Sequence, residues 1–375
     1  MHLLDATLHK QMKVDKYILG PSFRDQHLQA FVDHLDAGLL HLKDAFIACA
    51  SVLVGDQQLR QLALGQQVGL RRAAAAVASL RSSTVTVRRD HDLSLLLILG
   101  VAMVTFAFHS DGGAPEPLCS YILGLVKSCC RDGRSLKRQL GDDGVALLVC
   151  LLGTETESCL IKCEVPTLQI RQYDMDPCVD RFIGVSLPML AFYHDVCELA
   201  RRIRARRGAR LDSDVRRALE KLESAIERWQ PAVPTDFLTG RFSPAEVALM
   251  LTQSRVLRLT ALLLLHRLRH EYGSQDGKAA AMSSTILSEL ETALCLTGRS
   301  VPFAEMPHLA ASFEVTRRED RERQLAQSER IVDFSPHVCV EHKAWLVAFW
   351  AARDKLGSTE CIYWDDVQDH TEGKM

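Results

Sequence analysis

The residues best suited to chemistry in this chain fall in a few short stretches. His337, Cys339, Glu341 and His342 are the densest group of metal-ligand types. In an extended segment the first three would point the same way, whereas a helix would disperse them, and a structural role is the reading adopted. His266 and His270 stand four apart, a spacing that puts both on one helix face, but the residues between them are Arg267, Leu268 and Arg269 rather than the H-E-x-x-H pattern of a zinc protease. They read as the polar end of a helix near the surface. A binuclear zinc cluster needs closely spaced CxxC pairs, because two ions share thiolates from a short loop, and no CxxC occurs. Metal ligands are therefore not assigned.

Nucleophilic catalysis finds no support either. The stretch GVSLP (Gly184 to Pro188) lacks the second glycine of a nucleophile elbow. No glycine-rich phosphate loop is present. The acidic pairs Asp142-Asp143 and Asp365-Asp366 sit in polar segments, where solvated loops are the default. The chain carries no recognisable catalytic set and no cofactor is expected. One basic run stands out: Arg201, Arg202, Arg204, Arg206 and Arg207, continued by Arg210, Arg216 and Arg217. It fits a nuclear-import signal or a phosphate-facing patch. It equally fits a solvated helix end whose cations meet the negative end of the helix dipole.

The elements that must position these residues read as helices. The 375 residues can bury a substantial core, and a net charge of −2 gives no global pull toward nucleic acid or membrane. Aromatics at 6% with abundant Leu and Ala favour packed helices over a β-sandwich. Twelve scattered cysteines, several inside apolar helical runs, fit reduced thiols better than a disulfide framework. The opening stretch MHLLDATLHKQMK has no signal-peptide core. The apolar run Leu93 to Phe108 falls short of the ~20 residues of a spanning helix and reads as a buried core helix.

The organising element is Ser243 to His270. Ser243 and Glu246 form a capping-box pattern, Pro244 occupies the first helical position, and the apolar or small residues Val247, Met250, Leu251, Ser254, Leu257, Ala261, Leu264 and Leu268 recur at helical spacing. It should be a central strut, ended by Gly273. Further helices are expected over Asp25 to Leu40, Lys43 to Gly55, Gln66 to Leu80, Leu93 to His109, Leu118 to Cys130, Asp142 to Leu152, Asp180 to Arg207 with a kink or restart near Pro188, and Asp212 to Trp229. Asp276 to Thr297, Met306 to Phe313, Arg317 to Val332 and Val338 to Lys355 complete the set. ILGPSF is a turn, SSTVTV (Ser82 to Val87) a connector, Cys163 to Met175 irregular, and IYW (Ile362 to Trp364) a segment that docks back onto the fold. The expected fold is all-α: an irregular multi-helix domain over 18–364 around a long buried helix, with a tail or short helix at 1–17 and a polar tail at 365–375.

Taken together, GLRRAAAAVASLR, LSLLLILGVAMVTFAFH, ERWQP, the strut with its following EYGSQD, and ILSELETALCLTGRSVP resemble the helical regulatory region of fungal zinc binuclear cluster transcription factors. The likeness runs from about Ile18 to Trp364. It implies a nuclear, non-enzymatic all-α domain that controls transcription through protein or small-molecule contacts. The partners it implies are transcriptional co-regulators or a DNA-binding partner, a second copy of the chain, and a hydrophobic, sterol- or metabolite-like effector. The six-cysteine cluster of such factors is missing and no heptad linker precedes ILGPSF, so direct DNA contact by this chain is not expected, and no membrane is.

Overall fold

The computed structural model describes residues 13–35, 40–53, 65–82, 90–110, 113–129, 133–170, 179–206, 212–355 and 363–367. Among them are thirteen α-helices and no strand. They are α1 (Arg24–Leu35), α2 (Leu40–Leu53), α3 (Gly65–Ser82), α4 (Asp90–Phe108), α5 (Pro115–Cys129), α6 (Gly133–Lys162), α7 (Pro188–Arg204), α8 (Ser213–Arg228), α9 (Pro244–Arg269), α10 (Asp276–Thr297), α11 (Glu305–Phe313), α12 (Arg318–Ile331) and α13 (Pro336–Lys355). Most of SSTVTV, Gly55, Arg207, Arg210 and the last eight residues lie outside the described residues.

The strut is α9. Its Ser243 cap is two-sided, as the sequence predicts: the Ser243 hydroxyl accepts from the Glu246 N–H at 3.3 Å, and the Glu246 carboxylate accepts from the Ser243 N–H at 2.8 Å. The same carboxylate takes the Ser22 N–H and hydroxyl, each at 2.8 Å. The Ser243 hydroxyl donates to it as well, at 2.8 Å. Burial works against its charge, but these four donors win and hold the carboxyl below its ordinary range. The ILGPSF turn is thereby fastened to the strut's start. From Ala261 to Leu268 every side chain of α9 is buried, and the helix packs against α7, α8, α10 and α11. At its other end the buried Arg267 guanidinium pairs with Glu314 at 2.5 Å and Asp276 at 2.7 Å. It also donates to the Glu271 and Ser274 carbonyls and lies 4.4 Å from the centre of the Tyr272 ring. His266 is buried there rather than at the surface, its Nε2 3.2 Å from the Gln275 carbonyl.

The first half wraps a second apolar helix, α4, between α2, α5 and α6. The chain departs from the sequence expectation at two places here. The expected helix Asp142 to Leu152 starts where predicted, after a break in the 30-residue element α6 at Gly141 where φ is +64°, but it runs on to Lys162. That left-handed backbone is one that side-chain-bearing residues rarely adopt, so a glycine stands at the break. The polar run GTETES, which lies beyond the expected end at Leu152, stays helical because its groups are satisfied. Thr154 and Thr156 donate back to the Cys150 and Leu152 carbonyls at 3.0 and 2.6 Å. The buried Glu155 accepts from Ser120 and from the backbone and hydroxyl of Thr167. The second departure is at Asp180 to Leu187, which is a tight turn and not helix. The Asp180 carboxylate accepts from the Phe182 and Ile183 N–H groups at 2.8 and 2.9 Å, and α7 starts only at Pro188.

Two helical stretches, Gln139–Lys162 and Pro244–Arg269, are long and apolar enough to cross a membrane by length and composition. Most of each is buried against other helices, as the core helices of this fold are. Trp364 docks as the sequence suggests: it is 1% exposed, and its indole N–H donates to the Leu160 carbonyl at 2.9 Å. Among the described residues no disulfide joins the cysteines. Burial pushes the thiols of Cys49, Cys150 and Cys159 up to about 12.

Candidate functional site

Where α6 passes between the end of α4 and the face of α13, the packing opens into a cavity of about 200 Å³. Phe108, Phe303, Leu309, Val338 and Trp345 give it apolar walls. It continues outward into a groove of about 1140 Å³ along α13. Phe108, Glu157, Ile161, Val338, Glu341 and Trp345 border both spaces, so the two form one cleft. Gly153 shapes its inner wall. A Cβ there would lie 2.7 Å from the Phe303 ring, so only a glycine lets that ring approach α6 so closely.

Helical geometry places the polar groups. Thr154, Glu157 and Ile161 lie three and four residues apart on α6 and share one face. Glu305 opens α11, and the Met306 N–H beside it acts on the Glu157 carboxyl, which sits at the helix start. Burial raises Glu157 well above the carboxylate range and the Glu305 charge adds to this. Burial pushes Glu305 up to about 7. Glu341 is also raised by burial, with His337 pulling it back. Lys16, the cationic side chain at the inner cavity among the described residues, is committed to Asp333: its ammonium lies 2.8 Å from the carboxylate and donates to the Asp333 carbonyl at 2.7 Å. Tyr17 bonds to His109, and its ring packs 5.5 Å from that of Phe334.

The His337, Cys339, Glu341, His342 group is dispersed, because α13 begins at Pro336 and all four lie on the helix. Glu341 and His342 border the cavity, and Cys339 is buried. His342 stacks on His308, with their Nε2 and Nδ1 atoms 2.8 Å apart. Burial holds His342 well below the imidazole range and His308 at about 4, so the pair is neutral. Among the described residues the metal-ligand types whose atoms gather are instead His194, Asp195 and Glu198, neighbours on α7 with Glu198 exposed.

The basic run is divided between two helices. Arg201 and Arg202 are exposed on the last turn of α7. Arg204 is engaged: it donates to the Lys162 carbonyl at 2.6 Å and pairs with the buried Asp365 at 3.0 Å, clasping the Trp364 segment. Arg206 pairs with Asp212, the residue that caps α8. Arg207 lies outside the described residues. The cleft acids Glu157 and Glu305 were not singled out by sequence. A signal for Glu157 was there in TETES, an acid-bearing stretch flanked on both sides by apolar helix, and Glu305 had none.

The fungal specific transcription factor domain matches residues 70–374, most of the chain, and the chain belongs to that family. The match starts within α3 rather than at Ile18, where the sequence likeness was placed. No curated protein and no solved structure matches the chain. The protein is a regulatory region of a transcription factor, built from helices.

Proposed function

We propose that this chain is an effector domain whose cleft between α4, α6 and α13 receives a small, largely apolar molecule, and that occupancy sets transcriptional output. The observation that carries this reading is the continuity of an apolar-walled cavity with an open groove, an arrangement typical of small-molecule sites. A packed helical core needs no such opening. The domain acts in the nucleus, the setting of its family's work, and Arg201 and Arg202 are the exposed cations available to an import receptor. Transcriptional contacts fall to the outer face of α13, where Val340 and Val347 are 67% and 51% exposed along the groove. A transcriptional co-regulator, a DNA-binding partner or a second copy of the chain could seat there. Sequence-specific DNA reading is left to another module, and the domain performs no catalysis.

The reading is tested with prodan, a neutral naphthalene dye whose emission shifts in apolar surroundings. The wild-type chain should bind it saturably at one site. Ile161→Trp, which fills the cleft where cavity and groove meet, should abolish that binding and leave the helical circular dichroism unchanged. Absence of saturable binding, or equal binding by the filled variant, would overturn the cleft as a ligand site.

A further inference from the structure

The inner cavity combines features that a packing defect would not. Three carboxyl groups, Glu157 from α6, Glu305 from α11 and Glu341 from α13, reach a largely apolar space. Among the described residues no cationic side chain pairs with Glu157 or Glu305. Lys16 is held by Asp333, and the neutral His342 is held by His308. Carboxyl groups in such surroundings carry a desolvation cost, and a core under selection for stability alone would carry leucine or glutamine there. The aromatic rings of Phe108, Phe303 and Trp345 line the same space, and ring faces attract cations. The site therefore lacks one thing, a positive charge attached to an apolar body.

We propose that the cleft binds an amphipathic cation: a protonated amine seated between Glu157 and Glu305, with its alkyl or aromatic body lying along Phe108, Ile161 and Trp345 toward the groove. This rests on the reading of the cleft as the effector site and names the class of molecule. Fatty acids and other amphipathic anions are disfavoured by the same charges. To hold the ammonium the two carboxyls must ionise, so binding releases protons and strengthens as pH rises through neutrality. The other titratable groups facing the pair are Lys16 and Tyr17 from the amino-terminal segment, Cys150 from α6, Tyr193 from α7, Asp333 before α13, and Glu341 and His342 on α13. Burial already holds Tyr17, Tyr193 and Cys150 uncharged near neutral pH.

The test is competition for prodan on the full chain by octylamine, octanol and octanoate, matched in length. Octylamine should displace the dye at a concentration about tenfold below octanol, a difference of ~1.4 kcal/mol, with octanoate weakest. Lowering the pH from about 8 to about 5.5 should weaken octylamine severalfold and leave octanol unchanged. Glu305→Gln alone, and with Glu157→Gln, should bring octylamine to the octanol level while prodan still binds. Equal displacement by octylamine and octanol, or an octylamine preference that survives both substitutions, would overturn the cationic class while the cleft reading stands. If none of the three displaces prodan, the cleft reading falls with it.

Discussion

At the residue scale, the molecule separates charges that are satisfied from charges that are held in reserve. Arg267 is the satisfied kind: it is 1% exposed, and two carboxylates, two carbonyls and the Tyr272 ring surround its guanidinium. Removing it strands the buried Glu314 without its counter-charge. Arg267→Ala should therefore cost about 3–5 kcal/mol in chemical denaturation, and Arg267→Lys should recover only part, since an ammonium cannot fork across several acceptors. Glu305 is the other kind. Its native carboxyl is raised from the ordinary 4.5 to about 7, so the folded state binds a proton that the unfolded state releases earlier. The stability associated with that proton is fully present below about pH 4.5 and is lost as pH rises through about 7. Asp180, raised by burial to about 6, contributes a decline in the same window. Glu305→Gln should flatten, without abolishing, the fall in melting temperature between about pH 5 and pH 8. An unchanged pH profile would mean that Glu305 is solvated in the native protein.

At the element scale, the strut was legible because its signals agree: cap, proline, helical stripe and terminating glycine all point to one helix. Its middle is buried on every side, so Leu264→Asp should prevent folding, because a carboxylate would be buried without a partner. A soluble variant with wild-type helicity would contradict the burial of α9. α6 was harder to read. Its amino-terminal break at Gly141 was legible, but its length beyond Leu152 was hidden because the polar GTETES run does not continue the apolar pattern, and what keeps the helix going there is tertiary. Ser120 and Thr167, both distant in sequence from the stretch they stabilise, satisfy Glu155. The turn at Asp180 was missed for the opposite reason, since a short side chain supplies hydrogen bonds that helical periodicity does not register. The cleft follows the same logic. The helix bearing His337, Glu341 and His342 could be placed from sequence, but Glu157 and Glu305 meet only after α6 and α11 pack, and no local pattern announces a contact across that distance.

At the scale of the whole molecule, the amino-terminal turn is tied to the strut through Ser22 and Glu246 and to the segments beside it, and the carboxyl-terminal segment is tied to α6 and α7. Leu19 donates to the Arg181 carbonyl at 2.9 Å, Arg299 to the Ile18 carbonyl at 3.1 Å, and Trp364 to Leu160. Arg204 belongs to this tie through Asp365, so substituting it would confuse transport with folding. The import proposal is better tested at Arg201 and Arg202, which are exposed at the end of α7. Arg201→Ala with Arg202→Ala should leave the melting temperature unchanged and lower the nuclear fraction of a fluorescent fusion. An unchanged distribution would leave these two as a solvated helix end. The most direct test of the central claim is to tether the chain to an unrelated DNA-binding module and compare reporter output for wild type and Ile161→Trp at equal protein levels. If occupancy of the cleft sets activity, the filled variant should sit at a fixed output, several times above or below wild type, and should no longer respond to octylamine. Equal outputs and equal responses from the two proteins, with prodan binding lost only in the variant, would show that the cleft does not govern transcription.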